Sequence, residues 1–281
     1  FKDMGHRRVL LADEVGLGKT FVAREVINLV RQWHRDELKD DFFKVVYICS
    51  NANIADQNIE KLGVANRMNI SESRLSMQHL YITLANKQNM EKQKDGEMPE
   101  SIIPLTPSTS FRFFSAQGTA NERALMYAIL RHLPVFRAYD DVLGNFLCCN
   151  VKYWQGNIDN YQTKIAKCGD EYLSGMLDKL QKELYKELTD KVIDYALNGC
   201  EYKERAEVIN TLRRIFAEIS IDMLDPDLVI MDEFQRFSSL LQQGDDEQSM
   251  LARRFFDDSR SNTKILLLSA TPYKPYSTLE E

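Results

Sequence analysis

"RVLLADEVGLGKTFVAREVINLVRQW", residues 8–33, decides how the rest of the chain is read. Residues 8–12 are a short apolar run that stops at an acidic, glycine-bearing turn, which reads as a buried strand. Beyond the turn, Val22, Val26, Ile27 and Val30 recur at helical spacing, so a helix starts at about Lys19. "KVVYICS", residues 44–50, reads as a second buried strand, and a short helix over about Ile54 to Leu62 follows it. Strand, loop, helix, strand, loop, helix is the pattern of a parallel sheet flanked by helices.

Farther along, "NKQNMEKQKDGEMPES", residues 86–101, is polar and reads as an exposed, mobile loop; the apolar part of "SIIPLTPSTSF" then forms a strand ending in a hydroxyl-rich turn. From about Ser115 to Leu224 the periodicity becomes helical throughout. "NERALMYAILRHL" and "ERAEVINTLRRIFAEI" are helices, and Leu173, Leu177, Leu180, Leu184 and Leu188 recur at three- and four-residue steps as one face of a bundle rather than a partner zipper. A stretch of this length exceeds ordinary connections, so residues 115–224 are expected to be an all-helical insertion between the sheet-forming segments 1–114 and 225–281. Sheet grammar returns with "DLVIMDEF", residues 227–234, a buried strand ending in two acids, and "TKILLLSATPY", residues 263–273.

Bulk properties narrow the field. The 281 residues are 44% hydrophobic and 28% charged, ordinary for a globular chain able to bury a full core. No apolar run approaches the roughly 18 residues that span a membrane, and no secretory signal is visible. Five cysteines without metal-ligand spacing argue for a reduced, intracellular setting, cytoplasm or nucleoid; Cys148 and Cys149 read as packing residues rather than a metal pair. The four histidines are scattered, and none is assigned a role. A net charge of −6 gives no global footprint for nucleic acid, although backbone amides and a local basic groove can suffice. Because the chain begins with Phe1, it is expected to be an excised piece of a longer polypeptide.

The opening turn has a definite chemistry. A strand feeding a tight turn and a helix aims several backbone N–H groups at one spot, where the helix dipole adds positive charge. Gly16 and Gly18 permit unusual backbone angles and close approach to a phosphate oxygen, Lys19 neutralises β- and γ-phosphates, and the Thr20 hydroxyl ligates Mg²⁺. Leu17 and Phe21 complete the cofactor-binding stretch. The strict pattern G-x-x-x-x-G-K-[ST] wants glycine where this chain has Asp13. A second element is required, an acid for magnesium and a group for the attacking water, and Asp232 and Glu233 supply both at the carboxyl end of a strand, where ligands bind in open parallel sheets. Alone, two acids ending a strand are commonplace. Ser269 and Thr271 of "SATP" are the third element, able to hydrogen-bond to the acidic strand end.

"DEVGLGKT", "MDEFQ" and "LLLSATP" resemble motifs I, II and III of superfamily 2 helicases and translocases, the first being closest to the Swi/Snf-like branch. The resemblance covers roughly residues 1–70, 100–112 and 225–281. It implies a three-layer α/β/α P-loop NTPase fold (RecA-like), with a parallel sheet and the large all-helical insertion. It further implies that Lys19 and Thr20 take phosphate and Mg²⁺, Asp232 the Mg²⁺ and Glu233 the attacking water, with Gln235, Ser269 and Thr271 coupling hydrolysis to nucleic acid. Gln235 completes a DExQ-like box where many Swi/Snf members carry His. "YICSNANIADQ", residues 47–57, resembles motif Ia, although Gln57-Asn58 replaces the usual Gln-Trp. "LTPSTSF", residues 105–111, resembles motif Ib. Asn51, Gln57, Thr106, Ser108, Thr109 and Ser110 become candidate nucleic-acid contacts on this basis, with local capping and turn chemistry as the competing explanation.

What the resemblance implies is the first motor domain of an ATP- and Mg²⁺-dependent helicase or double-stranded DNA translocase, with RNA left open as the track. A second RecA-like domain carrying arginine fingers is expected beyond Glu281, and without it residues 1–281 should bind nucleotide weakly and hydrolyse it barely. The helical insertion leaves a different class open: an ATP-switched protein-docking or regulatory module that does not translocate. No membrane partner is expected.

Overall fold

A computed structural model describes residues 7–12, 18–38, 42–64, 74–92, 100–110, 117–237, 251 and 263–270. The chain divides into two compact units.

The first unit, residues 1–71, 89–109 and 225–281, is built on a five-stranded sheet. Its strands are β1 (Arg8–Ala12), β2 (Phe43–Ile48), β3 (Glu100–Leu105), β4 (Leu228–Met231) and β5 (Lys264–Ser269), in the spatial order β1-β5-β4-β2-β3. All four pairings are parallel. Helices α1 (Lys19–Trp33) and α2 (Ala52–Leu62) pack on one face. Ala23, Ile27 and Val30 of α1 and Ala55, Ile59 and Leu62 of α2 meet Phe43, Val45, Tyr47, Leu228, Ile230, Leu266 and Leu268 there. The alternate strand residues Val46, Ile48, Ile103, Val229 and Met231 are buried as well. A parallel sheet buried on both faces is the condition for a layered α/β fold, and the architecture is compatible with three layers, α/β/α.

Strand β1 departs from expectation. It forms over residues 8–12 as read, but its residues alternate between exposed and half-buried, and Leu10 is 53% exposed. The reason is its place at the end of the strand order: among the described residues it pairs only with β5, and one edge has no ladder partner. Apolar composition alone does not distinguish an edge strand from a central one.

The second unit, residues 72–88 and 110–224, is helical. It comprises most of α3 (Gln78–Lys92), which follows a 3₁₀ turn over Leu75–Met77, and, after the one-turn α4 (Pro107–Ser110) at the boundary, α5 (Ala120–Leu130), α6 (Asp140–Cys148), α7 (Trp154–Cys168), α8 (Asp170–Glu183), α9 (Lys186–Asn198) and α10 (Tyr202–Leu224). Helix α3 corrects the sequence reading of 86–101 as a loop: residues 86–92 continue the helix, 100–101 open β3, and 93–99 lie outside the described residues. The leucine series is also divided. Helix α8 ends at Glu183, Leu184 has extended backbone (φ −81°, ψ 110°), and Leu188 belongs to α9. Leu180 and Leu188 nevertheless reach one core with Met176, Val192, Leu212 and Phe216.

This unit ties its buried polar groups to one another. Glu122, 1% exposed, closes a capping box with Thr119 and accepts from Ser76 Oγ at 2.7 Å and Arg213 Nε at 3.0 Å. Burial alone would raise its pKa, but Arg213, the Thr119 amide, Arg74 and Ser76 hold the carboxyl below its usual range. Arg123 donates to the carbonyls of Leu147, Gln117 and Gly118. His79 Nδ1 lies 2.7 Å from Tyr172 Oη, and its backbone N–H donates to Ser220 Oγ.

Candidate functional site

Because every strand pair is parallel, all five strands end at the same edge of the sheet. Ala12 is in register with Ser269, Met231 with Leu267, and Ile48 with both Met231 and Leu105. Residues that follow the strands are therefore brought to one edge: Ser50 and Asn51 after β2, Thr106 after β3, Asp232 and Glu233 after β4, while Lys19 and Thr20 open the helix that follows β1. Strand β5, carrying Ser269 at its last position, lies between β1 and β4. Two strand spacings, about 10 Å, separate the end of β1 from that of β4. Strands β2 and β4 are neighbours, yet the chain leaves β2 toward β3 and leaves β4 toward β5, in opposite directions across the sheet. In open α/β sheets the carboxyl ends of the strands at such a divergence are the usual ligand position.

Helix α1 begins as an anion-binding helix should. Gly18 occupies the N-cap with φ 82° and ψ 22°, a left-handed conformation that glycine adopts without strain. Its carbonyl accepts from the amides of Phe21 and Val22 at 2.8 and 3.0 Å. Among the described residues no side chain caps the helix, and its first turn holds no acid. Among the described residues, then, no acid of the first turn offsets the positive end of the dipole. Lys19 and Thr20 are half-buried in this turn; Phe21 is 59% exposed, with the Arg24 guanidinium 4.7 Å from its ring centre. Gly16, Leu17 and Asp13 lie outside the described residues, as does Thr271.

The strand predicted over residues 227–234 is shorter than read: β4 stops at Met231, and Asp232 and Glu233 form a turn before a 3₁₀ helix over Phe234–Phe237 that contains Gln235. The ladder extends one residue further, because the Asp232 amide donates to the Ile48 carbonyl at 2.8 Å. Glu233 has φ 54°, the left-handed region that a glutamate occupies only under strain. Both carboxylates are held by β2 and its continuation. Tyr47 Oη donates to Asp232 Oδ2 at 2.6 Å and accepts from Asn58 Nδ2 at 2.9 Å; Asn58 Nδ2 also lies 3.3 Å from Asp232 Oδ2. Ser50 Oγ donates to Glu233 Oε2 at 2.9 Å. Burial, and then the adjacent Asp232 charge, push the Tyr47 phenol far above its ordinary pKa, so it stays protonated and remains a donor. Burial likewise raises the Cys49 thiol.

The candidate nucleic-acid residues fall into different surroundings. Asn51 caps α2, its Oδ1 accepting from the Asn53 amide at 2.8 Å, so local capping accounts for this side chain. Gln57 is exposed on α2. Thr106 and Ser110 are buried, and the expected hydroxyl-rich turn is the one-turn helix α4; the side chains of Ser108 and Thr109 lie outside what is described. Ser269 is buried at the end of β5. Sequence reading missed Tyr47, Ser50 and Asn58. Period-two alternation could have found Tyr47, because Tyr47 is in register with Ile230, and Asp232, two residues on, faces the same side of the sheet.

Two shallow cavities of about 310 and 320 Å³ belong to the helical unit, the first bordered by His132, Gln162 and Asp170, the second by Pro134, Gln181 and Lys186. Neither includes any residue of the sheet edge. Among the described residues no group of three or more His, Cys, Asp or Glu side chains could hold a metal unaided. Mg²⁺ shared between one or two carboxylates and substrate phosphates needs no such group. Asp232 suits that arrangement: both hydrogen bonds fall on Oδ2, and Oδ1 has no partner among the described residues. No helix among the described residues is long and apolar enough to cross a membrane. Compared with known proteins, the chain matches no family model, no curated protein and no solved structure.

Proposed function

We propose that the carboxyl edge of the sheet is the ATP- and Mg²⁺-binding surface of a RecA-like motor domain in a nucleic-acid-dependent ATPase of the helicase or translocase type. The observation that carries this reading is the meeting of three separate stretches at one edge: the α1 turn with Lys19 and Thr20, the Asp232–Glu233 turn, and Ser269 on the strand between them. The uncapped start of α1 supports an anionic ligand. Strain at Glu233 supports a residue held for chemistry rather than for packing.

In this reading Lys19 and the first amides of α1 hold the β- and γ-phosphates, and Thr20 Oγ1 and Asp232 Oδ1 are the protein ligands for Mg²⁺. The ion, when bound, neutralises charge that develops on the phosphate oxygens. Glu233 orients the attacking water and takes up its proton as the bond to the γ-phosphorus forms and the bond to the leaving ADP oxygen breaks. Ser50 donates to Glu233 Oε2 and so helps to orient the carboxylate. Ser269, buried at the end of β5 between β1 and β4, would register which nucleotide is bound.

The nucleic-acid track is supported by the motif Ia and Ib resemblance and by the arrival of Asn51 and Thr106 at the same edge. With Asn51 engaged as a cap and Thr106 buried, exposed Gln57 is the side chain best placed for such a contact. Double-stranded DNA is the first choice. The test is ATP turnover by the intact protein with and without DNA or RNA. Glu233→Gln should retain ATP binding and lose about 10²–10⁴-fold in turnover. Turnover unchanged in that variant rules out the assigned role.

A further inference from the structure

Asp232 is gripped more elaborately than a strand-end carboxylate needs to be. Tyr47 is 1% exposed, and its hydroxyl bridges two elements: it donates to Asp232 Oδ2 from β2 and accepts from Asn58 on α2. At 2.6 Å the bond to the carboxylate is in the range of strong O–H···O⁻ contacts. Asn58 is half-buried between Ala55 and Ile59, residues by which α2 packs on the sheet, and its amide nitrogen reaches both the phenol and the carboxylate. The backbone is fixed as well, through the Asp232 amide bonded to Ile48. Every one of these contacts falls on the amide or on Oδ2. They therefore set the carboxylate rotation and leave Oδ1 without a partner among the described residues.

We infer that Tyr47 and Asn58 are positioning residues that lock Asp232 so that Oδ1 serves as a single, oriented oxygen ligand for the divalent cation accompanying the nucleotide. The inference rests on the nucleotide-site reading above and adds to it the residues that tune the cation. Magnesium demands near-ideal octahedral geometry, so a carboxylate free to rotate is a poorer ligand than one held by a single oxygen. Partners that orient a metal-binding side chain commonly alter metal affinity by about 10–100-fold when removed. The competing role is purely architectural: the trio would join β2, β4 and α2 whether or not a cation ever bound.

Tyr47→Phe separates the two, because it keeps the ring in the core and removes only the oxygen. The experiment titrates Mg²⁺ against binding of a fluorescent ATP analogue by the intact protein, with Mn²⁺ occupancy followed by electron paramagnetic resonance and folding followed by thermal melting. Tyr47→Phe should raise the Mg²⁺ and Mn²⁺ concentrations for half-saturation about 10-fold, while binding of the analogue in EDTA stays at the wild-type level. Asn58→Ala should shift the cation requirement in the same direction. Wild-type cation dependence in a folded Tyr47→Phe protein overturns the inference and leaves the nucleotide site standing. A wild-type protein that binds the analogue neither with nor without Mg²⁺ overturns the nucleotide reading and the inference together. Should Tyr47→Phe melt early, Asn58→Ala supplies the same comparison, and an unshifted cation titration there counts equally against the idea.

Discussion

The sheet unit and the helical unit differ in where their polar groups collect. In the helical unit, buried charge is turned inward: Glu122 is shared by Arg213, Ser76 and Thr119, and Arg123 is committed to backbone carbonyls. The sheet unit also pairs buried groups near its strand starts, Arg31 with Glu100 and His34 with Asp227, but a further set of polar groups gathers at the carboxyl edge. Asp232 is bound through Oδ2, Glu233 is bonded by Ser50 from a strained backbone, and the first turn of α1 has neither a side-chain cap nor an acid. Buried polar groups that satisfy one another stabilise a fold, whereas polar groups oriented but incompletely satisfied at a strand edge can take a ligand. That contrast supports the proposal that the sheet edge is the site and the helical unit its scaffold.

Two changes to the helical unit test its half of the contrast. The larger effect is expected from Glu122→Ala, which leaves Arg213, with its side chain 4% exposed, without its carboxylate. Breaking a buried pair in this way costs about 3–5 kcal/mol, so the melting temperature should fall by about 10 °C or more. A drop of a degree or two would mean that the Glu122 cluster is not structural, and the contrast would fail on that side.

A smaller effect is expected from acidification. Burial, slightly offset by a backbone hydrogen bond at Ser76, lowers the His79 imidazole from 6.5 to about 3. The unfolded chain takes up a proton as pH falls through 6.5, but the folded chain does not until about 3. Stability from this residue is therefore complete above pH 6.5 and lost progressively toward pH 3, amounting to about 2 kcal/mol at pH 5. Glu122 adds to the loss only below its ordinary range, near 4.5. Exposed His132 shifts in the same direction as His79. Comparing unfolding free energies at pH 7 and pH 5 for wild type and His79→Gln isolates the buried ring, and the variant should show a clearly flatter profile. Parallel pH profiles would show that His79 does not titrate as its burial implies.

Much of the frame was legible from residue patterns. Apolar runs ending in small, acidic or hydroxyl-bearing turns located all five strands, and the start of α1 at Lys19 followed from valine and isoleucine spacing. What periodicity could not supply was position within the sheet. Strand β1 has the composition of a central strand and lies at the end of the order, because strand order is set by long-range pairing that no local window contains. Helix α3 was hidden for a related reason: residues 86–92 are polar and read as loop, yet they prolong a helix anchored by Leu80 and Ile82 in the core. The leucine series packs on one core as read, although the backbone breaks at Leu184 between two helices. At the site, Lys19, Thr20, Asp232, Glu233 and Ser269 stood out because their spacing carries chemistry. Tyr47, Ser50 and Asn58 did not, because their role depends on β2 lying beside β4, a pairing of residues about 180 positions apart.

The most direct test of the central claim is equilibrium binding of a fluorescent ATP analogue, with Mg²⁺, to the intact protein and to Lys19→Ala. The sheet edge as described predicts saturable binding by the wild type that tightens with Mg²⁺. It also predicts a loss of about 100-fold or more in Lys19→Ala, with no change in melting temperature. Equal binding by the two proteins, or none by the wild type, would contradict it.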